Sequence, residues 1–349
     1  MALNLDKTKV GINHPPFIIA EMSGNHNQSL SNALEIVKMA AKAGAHAIKL
    51  QTYTANTMTL DVSNKEFFID DETSLWKGKN LYDLYKQAYT PWEWHKTIMQ
   101  QANKLGMMCF SSPFDESAVD FLEDLNVPAY KIASFENNHL PLIRKVASTG
   151  KPMIISTGMA TVAEIYEATT TARESGCKDL ILLKCTSAYP AAPESSNILT
   201  IPHMRELFNC EVGLSDHTMG IGASVVAVAH GATVIEKHFT LDRNDGGVDS
   251  AFSLEPHELE LLVVESKRAW QSLGNVSYGA TDSEDKSKVF RRSLYVAEDM
   301  KEGDTFTKDN LKIIRPGNGL PPKYYEQFLG KKINKKIKKG VPVRWDLIA

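Results

Sequence analysis

Two histidines give the first chemical lead. His217 follows the apolar run 211–215, in Leu214-Ser215-Asp216-His217. His238 follows the run 233–237, in Glu236-Lys237-His238. Two imidazoles at matching positions on successive apolar runs suit an open divalent-metal site, with substrate and water in the remaining positions. Lys49, Lys131 and Lys184 end other runs, and Ser111, Ser112, Ser134, Ser156 and Ser215 add hydroxyls nearby. Clustered lysines repel one another unless an anion joins them. With hydroxyl and backbone donors around them, they suit a phosphate and a carboxylate held together. A Schiff-base lysine, Lys131 or Lys184, is the competing use, and the many serines favour the anion. Glu21 and Glu136 are the carboxylates available to activate a water, if burial or neighbours set their pKa.

These residues fall at the ends of elements that recur along the chain. Short apolar runs at 17–21, 47–51, 107–111, 129–133, 152–156, 180–184, 211–215 and 233–237 read as strands. Amphipathic segments between them read as helices, with stops at Gly44, Gly106, Gly150, Gly176, Gly231 and Gly274. Eight such units predict an α/β fold, a (β/α)8 TIM barrel over residues 1–274. In a barrel all eight strand ends meet on one face, so the polar residues there should line one pocket. The segment 52–90 is a long insertion after the second strand, carrying Trp76, Tyr82, Tyr85 and Tyr89. Insertions of that length in a βα loop are usually functional. Residues 275–290 are polar and read as a linker, and residues 291–349 as a small second domain. The six lysines of 331–339 read as a solvated face.

Composition narrows the classes. With 39 Lys+Arg against 42 Asp+Glu in 349 residues, the net charge is −3, which argues against a nucleic-acid coat protein. No apolar run is long enough to span a bilayer, so no membrane partner is expected. Residues 1–16 lack the apolar core of a secretory signal. The four cysteines form no CxxC and no disulfide framework, which fits a reducing cytoplasm. Cys109 and Cys185 lie in apolar runs and read as buried, inert thiols.

Seven motifs in order then carry a resemblance. They are Ala20-Glu21-Met22-Ser23-Gly24-Asn25-His26-Asn27, Lys49-Leu50-Gln51-Thr52, Ser112-Pro113-Phe114, Tyr130-Lys131-Ile132-Ala133-Ser134, Ser156-Thr157-Gly158-Met159, Gly213-Leu214-Ser215-Asp216-His217-Thr218 and Ile235-Glu236-Lys237-His238-Phe239. Together they resemble the sialic acid synthase family, which condenses phosphoenolpyruvate with an amino-sugar aldehyde. Phe290-Arg291-Arg292-Ser293 and Arg315-Pro316-Gly317-Asn318-Gly319 resemble that family's antifreeze-like (SAF) domain. Ser23-Gly24-Asn25-His26-Asn27-Gln28, Leu81-Tyr82-Asp83-Leu84-Tyr85 and Thr90-Pro91-Trp92-Glu93-Trp94-His95 look like its pseudaminic acid synthase branch. Neuraminate synthases usually carry Gly-Ile-Asn-His-Asn-Gly at the first motif, and Asn where this chain has Ser187.

The resemblance implies a metal (Mn²⁺, Co²⁺ or Mg²⁺) on His217 and His238, with Glu136 as the base for water and Glu236 near the metal. It implies that Lys49, Ser112, Lys131, Ser134, Ser156 and Ser215 hold phosphoenolpyruvate. Glu21, Gln51, Tyr189 and Asp249 would orient the sugar, Phe290 would join the substrate contacts, and Ser187 would sit at the site in an open role. The expected sugar is 2,4-diacetamido-2,4,6-trideoxy-L-altrose, and the expected assembly is a homodimer with swapped caps, Arg315 reaching the partner's sugar. The alternatives are an N-acetylneuraminate or legionaminate synthase, or a carbohydrate-binding protein without catalysis.

Overall fold

The computed structural model describes residues 2–72 and 74–348. The chain divides into two compact units, one running to Gly274 and one from Asn275. The first opens with an antiparallel hairpin, β1 (Leu3–Leu5) and β2 (Thr8–Val10). Eight parallel strands follow: β3 (Phe17–Glu21), β4 (Ala47–Thr52), β5 (Met108–Pro113), β6 (Tyr130–Ile132), β7 (Met153–Ser156), β8 (Leu180–Cys185), β9 (Glu211–Ser215) and β10 (Val234–His238). They pair in sequence order, and β10 pairs back on β3 to close the barrel.

Both faces of each barrel strand are covered, which is why the strands read as nearly unbroken apolar runs. Side chains still alternate. Phe17, Ile19, Ala47, Met108, Phe110, Ala129, Ile154, Ile181, Leu183 and Val234 form one inner cluster. Ile18, Ala20, Ile48, Leu50, Ile132, Ile155, Leu182 and Ile235 pack instead with helix residues such as Ile36, Ile98, Leu122, Ile143 and Leu259. Extending the inner parity to the strand ends brings in Glu21, Lys49, Gln51, Ser112, Lys131, Ser156, Cys185, Ser215, Glu236 and His238. The barrel is therefore apolar inside at its lower layers and charged at its C-terminal end.

The helices start and stop on local chemistry. The Ser29 side chain accepts from Asn32 N to cap Leu30–Lys42, and Thr161 with Glu164 forms a capping box on Val162–Glu174. Gly44 and Gly106 follow the helices Leu30–Lys42 and Trp92–Lys104 at φ +88° and +78°, backbone that other residues adopt only with strain. No helix among the described residues is long and apolar enough to cross a membrane.

The second unit pairs β11 (Ser293–Val296) with β12 (Leu311–Ile314) antiparallel, over a core of Leu294, Val296, Phe306, Leu311, Phe328, Ile333 and Val343. Ile333 and Ile337 point into that core, while the lysines between 331 and 339 stand exposed. Two of them pair with acids, Lys335 with Asp346 and Lys338 with Asp299. The stretch 275–290 is exposed except for the partly buried Ala280, and it holds a helical turn at Asp282–Asp285 followed by a tighter one at Lys286–Phe290.

Candidate active site

Four buried charges sit at the C-terminal end of the barrel. Lys49 Nζ lies 2.7 Å from Glu21 Oε2 and 3.8 Å from Glu236 Oε1. Lys131 Nζ donates to both oxygens of Glu236, at 2.9 and 3.1 Å. Around them, Ser215 Oγ donates to Glu236 Oε1 at 3.1 Å and Gln51 Nε2 to Glu21 Oε1 at 3.1 Å. Lys49 also reaches Ser112 Oγ at 3.4 Å. Two cations face two carboxylates, so the group can be buried at little net charge. Burial alone would raise Glu236, but Lys131 and Lys49 outweigh it and hold the carboxyl well below the usual range. Burial raises Glu21 despite the pull of Lys49, and burial lowers Lys131.

A hydroxyl-lined recess adjoins Lys131. Ser134 Oγ accepts from Gly158 N at 3.1 Å. Ser156 Oγ is buried and has no hydrogen-bond partner in the structure. A side chain at position 158 would not fit: its Cβ would lie 2.6 Å from Ser134 Oγ and closer still to Ser187 Oγ. The Ser134 and Ser187 hydroxyls thus approach too closely for any residue but glycine at 158, and with the unpartnered Ser156 Oγ they offer donors suited to an anion.

Glu136 follows Ser134 in the helical turn Ser134–Glu136. It is largely buried, and its Oε2 finds no hydrogen-bond partner. Burial lifts its pKa to about 7, against weaker lowering by a backbone bond and by Lys131. A carboxyl poised there can take a proton from water near neutral pH.

The two histidine rings meet at 5.3 Å between centroids. His217 Nδ1 lies 2.9 Å from the Thr186 carbonyl oxygen and so carries its proton, which leaves the Nε2 lone pair to ligate. His238 Nδ1 is buried without a hydrogen-bond partner, 3.7 Å from Asp249 Oδ2. Burial, with His217 and Lys49 adding to it, drives His238 well down and keeps it neutral. A neutral imidazole with an idle nitrogen is what a metal ligand requires, and His238 supplies one. At His217 burial is outweighed by the bonds to Cys185 and Thr186, which raise its pKa, so the pair can take a divalent cation once His217 gives up its Nε2 proton. Among the described residues no group of three His, Cys, Asp or Glu side chains could hold a metal. A cation held by this pair would take its remaining ligands from substrate and water.

Two devices fix this pair in place. On the outer parity of β10, Lys237 Nζ reaches Asp216 Oδ2 at 3.1 Å, Thr218 O at 2.6 Å and Gly220 O at 2.7 Å. Asp216 also accepts from Ser224 Oγ at 2.6 Å and from Thr218 N at 2.9 Å. A fully buried lysine thus ties the His217 loop to the strand that carries His238. On the pocket side, Tyr189 lies 4.5 Å from the His217 ring and 5.3 Å from Phe252, which is 4.9 Å from His238. Trp76 of the insertion stands 5.8 Å from Tyr189, and its Nε1 donates to Val248 O at 3.0 Å. Ser23 Oγ hydrogen-bonds Asp249 Oδ2 alongside.

The structure thus gathers Glu21, Lys49, Gln51, Ser112, Lys131, Ser215 and Glu236 in one cluster, Ser134, Ser156 and Ser187 in the recess, and Tyr189, His217, His238 and Asp249 beside them. Phe290 and Arg315 belong to the second unit, where both are exposed. Lys184 does not join: it is on the outer parity of β8 and donates to Cys185 O at 3.0 Å and Thr186 Oγ1 at 3.2 Å. Cys185 is buried but not the inert thiol expected. Its Sγ lies 3.8 Å from His217 Nδ1, and although burial raises its pKa, His217, Ser134 and Lys131 bring it to about 7. Sequence reasoning gave no role to Trp76, Gly158, Phe252 or the Asp216–Lys237 pair, although all but Phe252 lay in segments it had marked. A separate cavity of about 450 Å³, lined by Asp61, Lys79, Asn80 and Asp83, lies within the insertion and holds none of the strand-end residues.

The NeuB family model matches residues 36–278, and the SAF domain model residues 291–349. The chain belongs to the NeuB family. Its NeuB-family relatives include a pseudaminic acid synthase of Campylobacter jejuni, 47% identical over 93% of this chain and 94% of that protein. Another, the pseudaminic acid synthase of Helicobacter pylori, is 42% identical over 95% of this chain and 97% of its own. Among solved structures, an N-acetylneuraminic acid synthetase of Leptospira borgpetersenii in complex with citrate matches with a TM-score of 0.73 at 32% identity, covering 82% of this chain and 95% of that one. The NeuB match takes in the strand ends from β4 to β10, and so the site described above apart from Glu21 and Ser23.

Proposed function

We propose that this protein is a pseudaminic acid synthase. It condenses phosphoenolpyruvate with 2,4-diacetamido-2,4,6-trideoxy-L-altrose and water, giving pseudaminic acid and phosphate by C–O cleavage. The reading rests on one conjunction: two buried lysines, a hydroxyl recess and two idle imidazoles meet at one strand-end face, in a chain 47% identical to a pseudaminic acid synthase. The four free cysteines suit a cytoplasmic setting.

Lys49, Ser112, Lys131, Ser134, Ser156 and Ser215 bind the phosphate and carboxylate of phosphoenolpyruvate. Glu21, Gln51, Tyr189 and Asp249 orient the sugar aldehyde, and Ser187 borders the recess. C3 of phosphoenolpyruvate attacks the aldehyde carbon, whose oxygen takes up a proton, and positive charge develops at C2. Glu136 takes a proton from water as it adds to C2, and the resulting intermediate expels phosphate with its bridging oxygen. His217 and His238 would hold the divalent cation (Mn²⁺, Co²⁺ or Mg²⁺), which supplies Lewis-acid polarisation of the aldehyde. Glu236, ionised, keeps Lys131 and Lys49 charged and positioned. The SAF unit, with Phe290 and Arg315, serves the barrel of a partner chain in a homodimer. The SAF match at residues 291–349 and the exposed stretch 275–290 ahead of it support that arrangement.

The test supplies phosphoenolpyruvate ¹⁸O-labelled at the bridging oxygen together with a panel of acetamido sugars. The expected result is pseudaminic acid from the diacetamido altrose, with the label in phosphate. Preference for N-acetylmannosamine or for the legionaminate precursor would replace the sugar assignment. Label retained in the sugar product would overturn C–O cleavage, and absence of phosphate release with every sugar would overturn the reaction.

A further inference from the structure

Two aromatic rings, Tyr189 after β8 and Phe252 after β10, flank the histidine pair, and a third, Trp76 from the insertion, packs on Tyr189. Trp76 is the one whose place in sequence gives no hint of this, 172 positions from the residue it bonds. Its single polar atom, Nε1, is spent on the Val248 carbonyl, which fixes the ring and leaves only apolar surface to offer. That bond ties it to the residue before Asp249 in sequence, and its ring packs on Tyr189, a residue assigned to the sugar. Trp76 is only half-buried, so its ring still has surface to give to a ligand. Tyr82 of the same insertion instead spends its hydroxyl on Asn56.

We propose that Trp76 is a specificity-determining residue of the acceptor-sugar subsite, an apolar wall that receives the C6 methyl or an acetamido methyl of a six-deoxy diacetamido hexose. A hydroxymethyl group against this wall would give up water and gain no hydrogen bond in return. A methyl group there gains from leaving water. The inference rests on the proposed reaction and deepens it, by naming the side chain that reads the sugar's apolar groups.

The experiment compares the wild type, Trp76→Ala and Trp76→Phe by kcat/KM for the diacetamido trideoxy hexose and for N-acetylmannosamine. KM for phosphoenolpyruvate and thermal melting are measured alongside. The wild type should prefer the diacetamido sugar. In Trp76→Ala that preference should fall by about tenfold to a hundredfold, the scale on which an apolar pocket discriminates. The fall should lie in sugar KM, with phosphoenolpyruvate KM and melting unchanged. Trp76→Phe keeps an apolar ring without the indole donor and should keep most of the preference. An unchanged ratio in Trp76→Ala would overturn the proposal, as would parallel rises in both substrates' KM. Equal loss in Trp76→Phe would replace the wall with a mere tether to Val248. Failure of the proposed function itself shows separately, in the wild type, as a preference for N-acetylmannosamine.

Discussion

Lys131 Nζ lies 2.9 Å from Glu236 Oε1, with both side chains at most 5% exposed. A pair this deep is held by mutual compensation, since removing one partner strands the other charge at a cost of about 3–5 kcal/mol. The same lysine is assigned to phosphoenolpyruvate, and one substitution therefore has two separable effects.

Lys131→Ala should raise KM for phosphoenolpyruvate and lower kcat. A charge-assisted contact contributes about 1.5–3 kcal/mol, so the combined loss in kcat/KM is roughly tenfold to a hundredfold. It should also lower the melting temperature, because Glu236 loses its closest cation. Lys131→Met combined with Glu236→Gln should recover much of the stability while phosphoenolpyruvate binding stays weak. Steady-state kinetics and calorimetry on the two proteins check this, and an unchanged KM in Lys131→Ala would place the lysine outside the substrate site.

Glu136 sets the acid limb of the pH profile. Its pKa stands at about 7 and its ionised form is the base, so kcat should climb as pH rises through 7 and level off above. Glu136→Gln should lower kcat by about 10²–10⁴ and remove that limb. Stability carries the opposite sign. The folded state holds this proton more tightly than the unfolded chain, so Glu136 makes the fold less stable as pH rises from about 4.5 to about 7. Melting temperatures of wild type and Glu136→Gln across that window should converge at the acid end and separate toward neutrality. A flat kcat profile between pH 6 and 8 would remove Glu136 from the base role.

Much of this site can be read from alternation along the strands. Glu21 follows Phe17 and Ile19 at every second residue, Lys131 follows Ala129, Ser156 follows Ile154, and Glu236 and His238 follow Val234. Once eight runs imply a barrel, that parity puts these residues together on one face of each strand. The same rule sends Lys184 outward with Leu182, but a run apolar on both faces does not say which parity is inner until its neighbours are in place. The insertion was beyond reach for another reason. Trp76 is positioned by one hydrogen bond to a distant carbonyl and by ring packing, and neither leaves a period in the sequence. The β1–β2 hairpin escaped notice because two three-residue strands carry too little pattern, though Leu5 and Val10 join the inner core.

Chelation should abolish turnover, and Mn²⁺, Co²⁺ or Mg²⁺ should restore it. Binding can be read without activity, because bound Mn²⁺ loses the sharp resonance of the free ion. The wild type should deplete that signal and His217→Ala should not. The Lys237 brace gives a graded version of the test. Lys237→Met should weaken Mn²⁺ binding by about tenfold to a hundredfold, as expected when a partner that orients ligands is lost. Full turnover after exhaustive chelation would remove the metal from the mechanism.

The assembly makes the last prediction. If each SAF unit serves its partner's barrel, Arg315→Ala and His238→Ala fall on different sites in a mixed dimer. One site then carries both lesions and the other neither. Each homodimer alone should be nearly inactive, Arg315→Ala chiefly through sugar KM, since its barrel keeps the lysines and hydroxyls assigned to phosphoenolpyruvate. After subunit exchange, random pairing makes half of all dimers hybrids, and each hybrid has one intact site. Activity should therefore return to about a quarter of the wild-type value at equal protein. Native mass spectrometry counts the hybrids independently, which separates failed exchange from failed complementation. Hybrids without recovered activity would mean that each SAF unit serves its own barrel, because every barrel would then keep one lesion whichever chain it pairs with.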